Sequence, residues 1–219
     1  MEPKEAGLDV EIVEFTDYVQ PNVALDDGSL DANYFQTVPY LEQQETSAGY
    51  DFTALAPVHI EPLGIYSSSL TDLASLTDGA TVAIPNDPTN AARALRLLEA
   101  NGLLTLADTG DTAPTSLDIE DNPRDLQVSE VEAAQLPRSL EDVDIAVING
   151  NYAIEAELSP ADDALALEEA EGNPNANLLV VRAGDEGDER IQTLERLLHS
   201  DEVRTFITDS YNGAVLPAF

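Results

Sequence analysis

An α/β fold is what the amino-acid sequence predicts, and three observations predict it. Short apolar runs rich in β-branched residues recur along the chain, at 52–60, 82–84, 143–148 and 178–181, each the length of a strand. Between them lie segments with helix start signals, clearest at Asp87-Pro88, where an N-cap and a first-turn proline precede Ala91, Ala92, Leu95 and Leu98 on one face. Asparagines mark the strand edges at Asn86, Asn149 and Asn177. Strands alternating with helices predict mainly parallel sheets, which bind ligands where strands end and helices begin.

In order, residues 8–14 alternate apolar and acidic side chains up to Val13, which suits a strand with one buried face. Residues 21–28 read as a short helix closed by Gly28, and 30–32 as a brief strand before Tyr34 and Phe35. Tyr18, Tyr34 and Phe35 concentrate aromatic rings in a chain that is only 5% aromatic. They read as core packing or as a pocket wall. Residues 52–60 form a strand continued in extended form to Tyr66, and the serines and Asp72 of 67–73 signal a helix start. The helix after Asp87 ends near Asn101-Gly102. Residues 105–124, rich in Thr, Asp and Pro, read as an irregular connection. A strand at 126–131 and a helix at 133–140 interrupted by Pro137 precede the run 143–148, whose composition fits a strand buried on both faces. Residues 152–158 are helical, 159–176 are polar with helical potential, and 178–181 form a further buried strand. Two helices, 189–199 and 201–211, and a small apolar tail complete the chain.

The composition narrows the chemistry. Of 219 residues, 43% are apolar, enough for a real core, yet 43 Asp and Glu face 9 Lys and Arg for a net charge of −34. Such a surface repels nucleic-acid phosphates and anionic lipid, so neither is an expected partner. Acidic residues spread along a globular chain suit concentrated salt, where screening removes the self-repulsion. With no cysteine, thiolate catalysis and cysteine-ligated metals are excluded. His59 and His199 show no metal-ligand spacing, so no metal and no cofactor is expected. The acidic clusters Asp162-Asp163, Glu168-Glu169-Ala-Glu171 and 185–189 lack the pattern of a calcium loop and read as solvated faces. No apolar run approaches the roughly 20 residues of a membrane span.

The stretch 82–98 carries the chemistry that remains. The first turn of a capped helix offers unpaired N–H groups and the positive end of its dipole to an anion, and Arg93 sits just beyond that turn. An arginine there can add a planar, bidentate partner for a carboxylate, while the oxygens of Asn86, Asn149 and Asn177 can accept from an ammonium group. Together they suit a zwitterion. Turn formation by the asparagines and an ordinary solvated arginine are the alternative.

Six motifs make the reading specific: Glu14-Phe-Thr-Asp-Tyr-Val-Gln-Pro-Asn22, Asp31-Ala-Asn-Tyr-Phe-Gln36, Pro85-Asn-Asp-Pro-Thr-Asn90, Glu132-Ala-Ala-Gln-Leu-Pro-Arg138, Val147-Ile-Asn-Gly-Asn-Tyr-Ala153 and Tyr211-Asn-Gly-Ala-Val215. In these, over nearly its whole length, the chain resembles the methionine-binding lipoproteins (NlpA family) of ABC importers. The resemblance implies a type II periplasmic-binding-protein fold of two α/β lobes joined by two crossing strands. Residues 1–63 and 178–219 would form the first lobe and 64–177 the second. It implies that Arg93 binds the ligand carboxylate, that Asn149 and Asn177 bind the amino-acid head group, and that Tyr18 and Phe35 surround the thioether. Many family members carry a histidine where this chain has Thr37. His59 and Tyr66 would be pocket neighbours or, as the simpler role, hinge packing, and Glu132 and Gln135 would be structural. Family members begin with a signal peptide, a lipid-carrying cysteine, a strand and a helix before the equivalent of Leu8. The first lobe is therefore expected to lack its first strand.

The function so implied is non-enzymatic: an extracytoplasmic protein, lipid-anchored in its full-length form, that captures methionine as a monomer and delivers it to ABC permease and ATPase subunits. A methionine-containing dipeptide or another amino acid is an alternative ligand, since Thr37 leaves space. An enzyme on the same fold is a further alternative, without a nucleophile motif or cofactor loop to support it. A chain that binds nothing for want of the strand is the last.

Overall fold

In the computed structural model, which describes Lys4, residues 6–170 and residues 172–219, the chain divides into two units. Unit 1 comprises Met1–Glu61 and Ala170–Phe219, and unit 2 is Pro62–Glu169. The elements run α1 (Gln20–Asp26), β1 (Asn33–Thr37), α2 (Val38–Ala48) and β2 (Phe52–Ile60) in the first stretch of unit 1. Unit 2 follows with β3 (Gly64–Tyr66), β4 (Thr81–Pro85), α3 (Pro88–Ala100), the small pair β5 (Thr105–Leu106) and β6 (Ile119–Asp121), β7 (Gln127–Val131), α4 (Leu136–Ser139), β8 (Ile145–Ile148), α5 (Gly150–Glu155), α6 (Pro160–Asp163) and β9 (Ala166–Leu167). Unit 1 resumes with β10 (Ala176–Arg182), α7 (Glu189–Leu198), α8 (Asp201–Tyr211) and β11 (Leu216–Pro217).

The two sheets are built differently. In unit 1 the order is β1-β10-β2-β11 and every pairing is antiparallel, which corrects the expectation of mainly parallel sheets. The returning β10 inserts between β1 and β2, so two strands joined by helix α2 never pair with each other. Around it Leu25, Leu41, Phe52, Leu178 and Val180 close one core, with Tyr50 stacked on Phe52. In unit 2 the order is β7-β4-β8-β3-β9, with β4 parallel to both neighbours and β3 antiparallel to β8 and β9. Here α3 lays Ala91, Ala94, Leu95 and Leu98 against Val82, Ile84, Ile145 and Val147.

Three local expectations fail for identifiable reasons. Residues 8–15 are not assigned to a strand: Leu8 is buried, but Val10, Ile12, Val13 and Phe15 are exposed. Alternation reports which side chains would share a face; it cannot supply the neighbouring strand whose carbonyls and amides complete a ladder. The stretch after Ser67 makes a single 3-10 turn, Leu73–Ser75, instead of an α-helix. The Ser67 oxygen accepts the Ser69 and Leu70 N–H groups at 3.2 and 3.1 Å, but its hydroxyl donates to the Asp144 carbonyl at 2.6 Å and that of Ser68 to the Leu140 carbonyl at 2.7 Å, which ties the segment to the chain before β8. The strand expected at 30–32 begins at Asn33, where Asn33 and Gln36 turn inward to a buried amide network with Asn22.

Candidate functional site

Asp87 caps α3 as its sequence suggests, its carboxylate accepting the Asn90 backbone N–H at 2.9 Å and both its oxygens accepting the Asn90 amide at 3.1 Å. Burial pushes the Asp87 carboxyl above its ordinary value, partly offset by these hydrogen bonds. Asn90, fixed in this way, presents its own oxygen to Asn149, whose amide donates to it at 3.0 Å. Asn149 follows the last residue of β8 and is itself buried. Its Oδ1 and the Tyr66 hydroxyl are the two buried side-chain polar atoms without a hydrogen-bond partner among the described residues. A buried acceptor left open costs on the order of 1–3 kcal/mol unless something donates to it.

One turn beyond Asn90, Arg93 is also buried, at 8% exposure. Its Nε donates to Glu168 at 2.7 Å to Oε1 and 2.9 Å to Oε2, and Nη2 donates to the same carboxylate. Glu168 is thus no part of a solvated acidic face, as its run of neighbours suggests; Glu171, the last of that run, lies outside the described residues. Asn86, the remaining unit 2 candidate, is exposed at the end of β4. Unit 2 therefore gathers an arginine–carboxylate pair and an asparagine pair along the first two turns of one helix.

The unit 1 candidates form two groups. Thr37, Asn177 and His59 stand side by side in register across β1, β10 and β2. Thr37 is partly occupied as the N-cap of α2, accepting the Tyr40 N–H. His59 Nε2 lies 3.0 Å from Glu61 Oε1 and 3.3 Å from the Asn177 amide nitrogen, and its Nδ1 is bonded to the Tyr34 hydroxyl. A proton on Nε2 facing Glu61 leaves Nδ1 as the acceptor for that hydroxyl. The other group is aromatic: Tyr18 and Phe35 have ring centroids 6.1 Å apart, and Tyr40 closes the triangle at 6.1 and 6.0 Å. The Tyr40 hydroxyl donates to the Tyr18 carbonyl at 3.0 Å, pinning an otherwise irregular segment.

Sequence reasoning missed Asn90, Glu168 and Tyr40. Asn90 had a signal, three residues past a cap; Glu168, 75 residues from its arginine, had none. Among the described residues no group of acidic or histidine side chains is placed to hold a metal, and no helix is long and apolar enough to cross a membrane.

Comparison with known proteins shows the family. The chain is 44% identical over 212 residues to the D-methionine-binding lipoprotein MetQ of Escherichia coli K12, covering 96% of this chain and 78% of that protein. It is 43% identical over 210 residues to outer membrane lipoprotein 2 of Mannheimia haemolytica, covering 96% and 76%. Among solved structures, a nutrient-binding protein from Burkholderia cenocepacia bound to methionine superposes with a TM-score of 0.96 at 46% identity, over 99% of this chain and 91% of that one. Likeness of this order carries the type II periplasmic-binding-protein fold with it. The family pattern described as NlpA lipoprotein matches residues 2–219, and the chain belongs to that family.

Proposed function

We propose that this protein captures methionine and delivers it to an ABC importer, as a lipid-anchored extracytoplasmic binding protein and not as an enzyme. The observation that carries the reading is the likeness over 99% of the chain to a protein solved with methionine bound. The local chemistry supports it. Arg93 supplies the cation for the ligand carboxylate, and the unpartnered Asn149 Oδ1 supplies an acceptor for its ammonium. Asn177 and Asn86 add amide contacts to the head group. Tyr18 and Phe35 receive the thioether, a sulfur–aromatic contact worth about 0.3–1.5 kcal/mol, and Thr37 borders the side chain where a bulkier residue would shorten the space. A methionine-containing dipeptide is the alternative ligand that Thr37 admits. The charge of −34 is adaptation of the chain to concentrated salt, so its melting temperature rises with potassium chloride.

The test is thermal unfolding in molar potassium chloride with and without excess L- or D-methionine. At about 100 times its dissociation constant a ligand adds about 2.7 kcal/mol, which in a chain of this size raises the midpoint by roughly 5–10 °C. Arg93→Ala, which leaves a carboxylate without its charged partner, weakens binding by about 2–5 kcal/mol and cuts that shift to about a third or less. A cooperative melt unmoved by either enantiomer refutes methionine as the ligand.

A further inference from the structure

We infer that Glu168 is a positioning residue for the methionine site, holding the plane of the Arg93 guanidinium in which a ligand carboxylate is received; the inference rests on the function proposed above. Glu168 grips the Nε and Nη2 edge of Arg93 with both oxygens. The carboxylate is itself anchored: Oε2 accepts the Leu63 backbone N–H at 3.2 Å, and the Glu168 N–H donates to the Leu63 carbonyl at 2.8 Å. A carboxylate held by a backbone amide on one side and gripping an arginine on the other fixes the rotamer of both. The pair is shielded, at 8% and 15% exposure, so the guanidinium is oriented before any ligand arrives. Preorganisation of that kind removes an ordering cost from binding.

Leu63 and Glu168 also flank the two places where the chain passes between its units, Glu61 to Pro62 and Glu169 to Ala170. Leu63 is the residue before β3, and Glu168 the residue after β9, its antiparallel neighbour. The side chain that orients Arg93 is therefore tied to both crossings at once. Glu169, next in sequence, is exposed.

The experiment is calorimetric titration of the wild-type chain and of Glu168→Ala, Glu168→Gln and Glu168→Asp with methionine and with methionine amide, which keeps the thioether and ammonium but lacks the carboxylate. Glu168→Ala weakens methionine binding by about tenfold or more while changing the weaker affinity for the amide little, so discrimination between the two ligands collapses. Glu168→Gln, of the same shape and able to accept from Nε, restores part of that discrimination, and it serves as the test if the alanine variant does not melt cooperatively. A merely structural role would weaken both ligands together. Equal loss for both ligands, or unchanged discrimination in all three variants, overturns the inference and leaves the methionine reading standing. Tighter methionine binding by Glu168→Gln overturns it too, because Glu168 would then be a rival of the ligand carboxylate. Absence of methionine binding by the wild-type chain overturns both.

Discussion

Two stretches of this molecule look alike as sequence and end differently. Residues 8–15 and residues 143–148 both carry closely spaced β-branched side chains, with three acids among the first and one, Asp144, in the second. The second becomes β8, with Ile145, Ala146, Val147 and Ile148 all at 0% exposure, paired with β4 on one side and β3 on the other. The first leaves Ile12 at 81% exposure and has no assigned strand. The difference lies outside the two segments. A strand is a property of a pair, and burial on two faces needs layers above and below that only the rest of the chain supplies.

Three substitutions test that contrast. Val147→Asp places a charge in the centre of a sheet covered on both faces and is expected to cost about 4 kcal/mol or more, read as a large fall in melting midpoint or loss of a cooperative transition. An intermediate effect comes from the start of β8, where the Asp144 carboxylate accepts both the N–H and the hydroxyl of Thr81 at 2.7 Å. The backbone N–H first and the hydroxyl second hold the Asp144 carboxyl below its usual value of 3.8. A depressed carboxyl contributes stability at pH values above its unfolded pKa and loses it as pH falls through the folded one. Thr81→Val removes the hydroxyl's bond to the carboxylate and the Asp144 N–H bond that the same hydroxyl accepts at 3.0 Å, the N–H keeping the Thr81 carbonyl at 3.2 Å, so it costs about 1–2 kcal/mol near neutrality. In that variant the acid side of the stability profile flattens, measurable by urea unfolding between pH 5 and the acid transition. The smallest effect belongs to Ile12→Ser, expected within about 0.5 kcal/mol of wild type; a loss well above that would show Ile12 covered by a partner strand.

The candidate site was legible in proportion to how local each contact is. Asp87, Pro88 and the apolar face of α3 could be read directly, because a cap and its helix lie within one turn and propensity decides them. Tyr18 and Phe35 could be singled out as aromatics in an aromatic-poor chain, and the rings do meet, but Tyr40 was passed over because its role depends on a carbonyl 22 residues away. Arg93 was read for its charge and position. Its carboxylate partner was placed among solvated acids, because in a chain with 43 acidic residues no local feature marks the one that turns inward.

The α/β class, most strands and helices, and the family through its ordered motifs were all legible in the sequence. These follow from propensity, periodicity and residue chemistry, which act within a few positions. Tertiary structure alone decided the antiparallel insertion of β10 between β1 and β2, the exposure of residues 8–15, and the pairing of Arg93 with Glu168 and Asn149 with Asn90, 75 and 59 residues apart. Those outcomes depend on which surfaces the folded chain brings together. A sidechain's polarity says that it needs a partner, and only the packed chain says which one it gets.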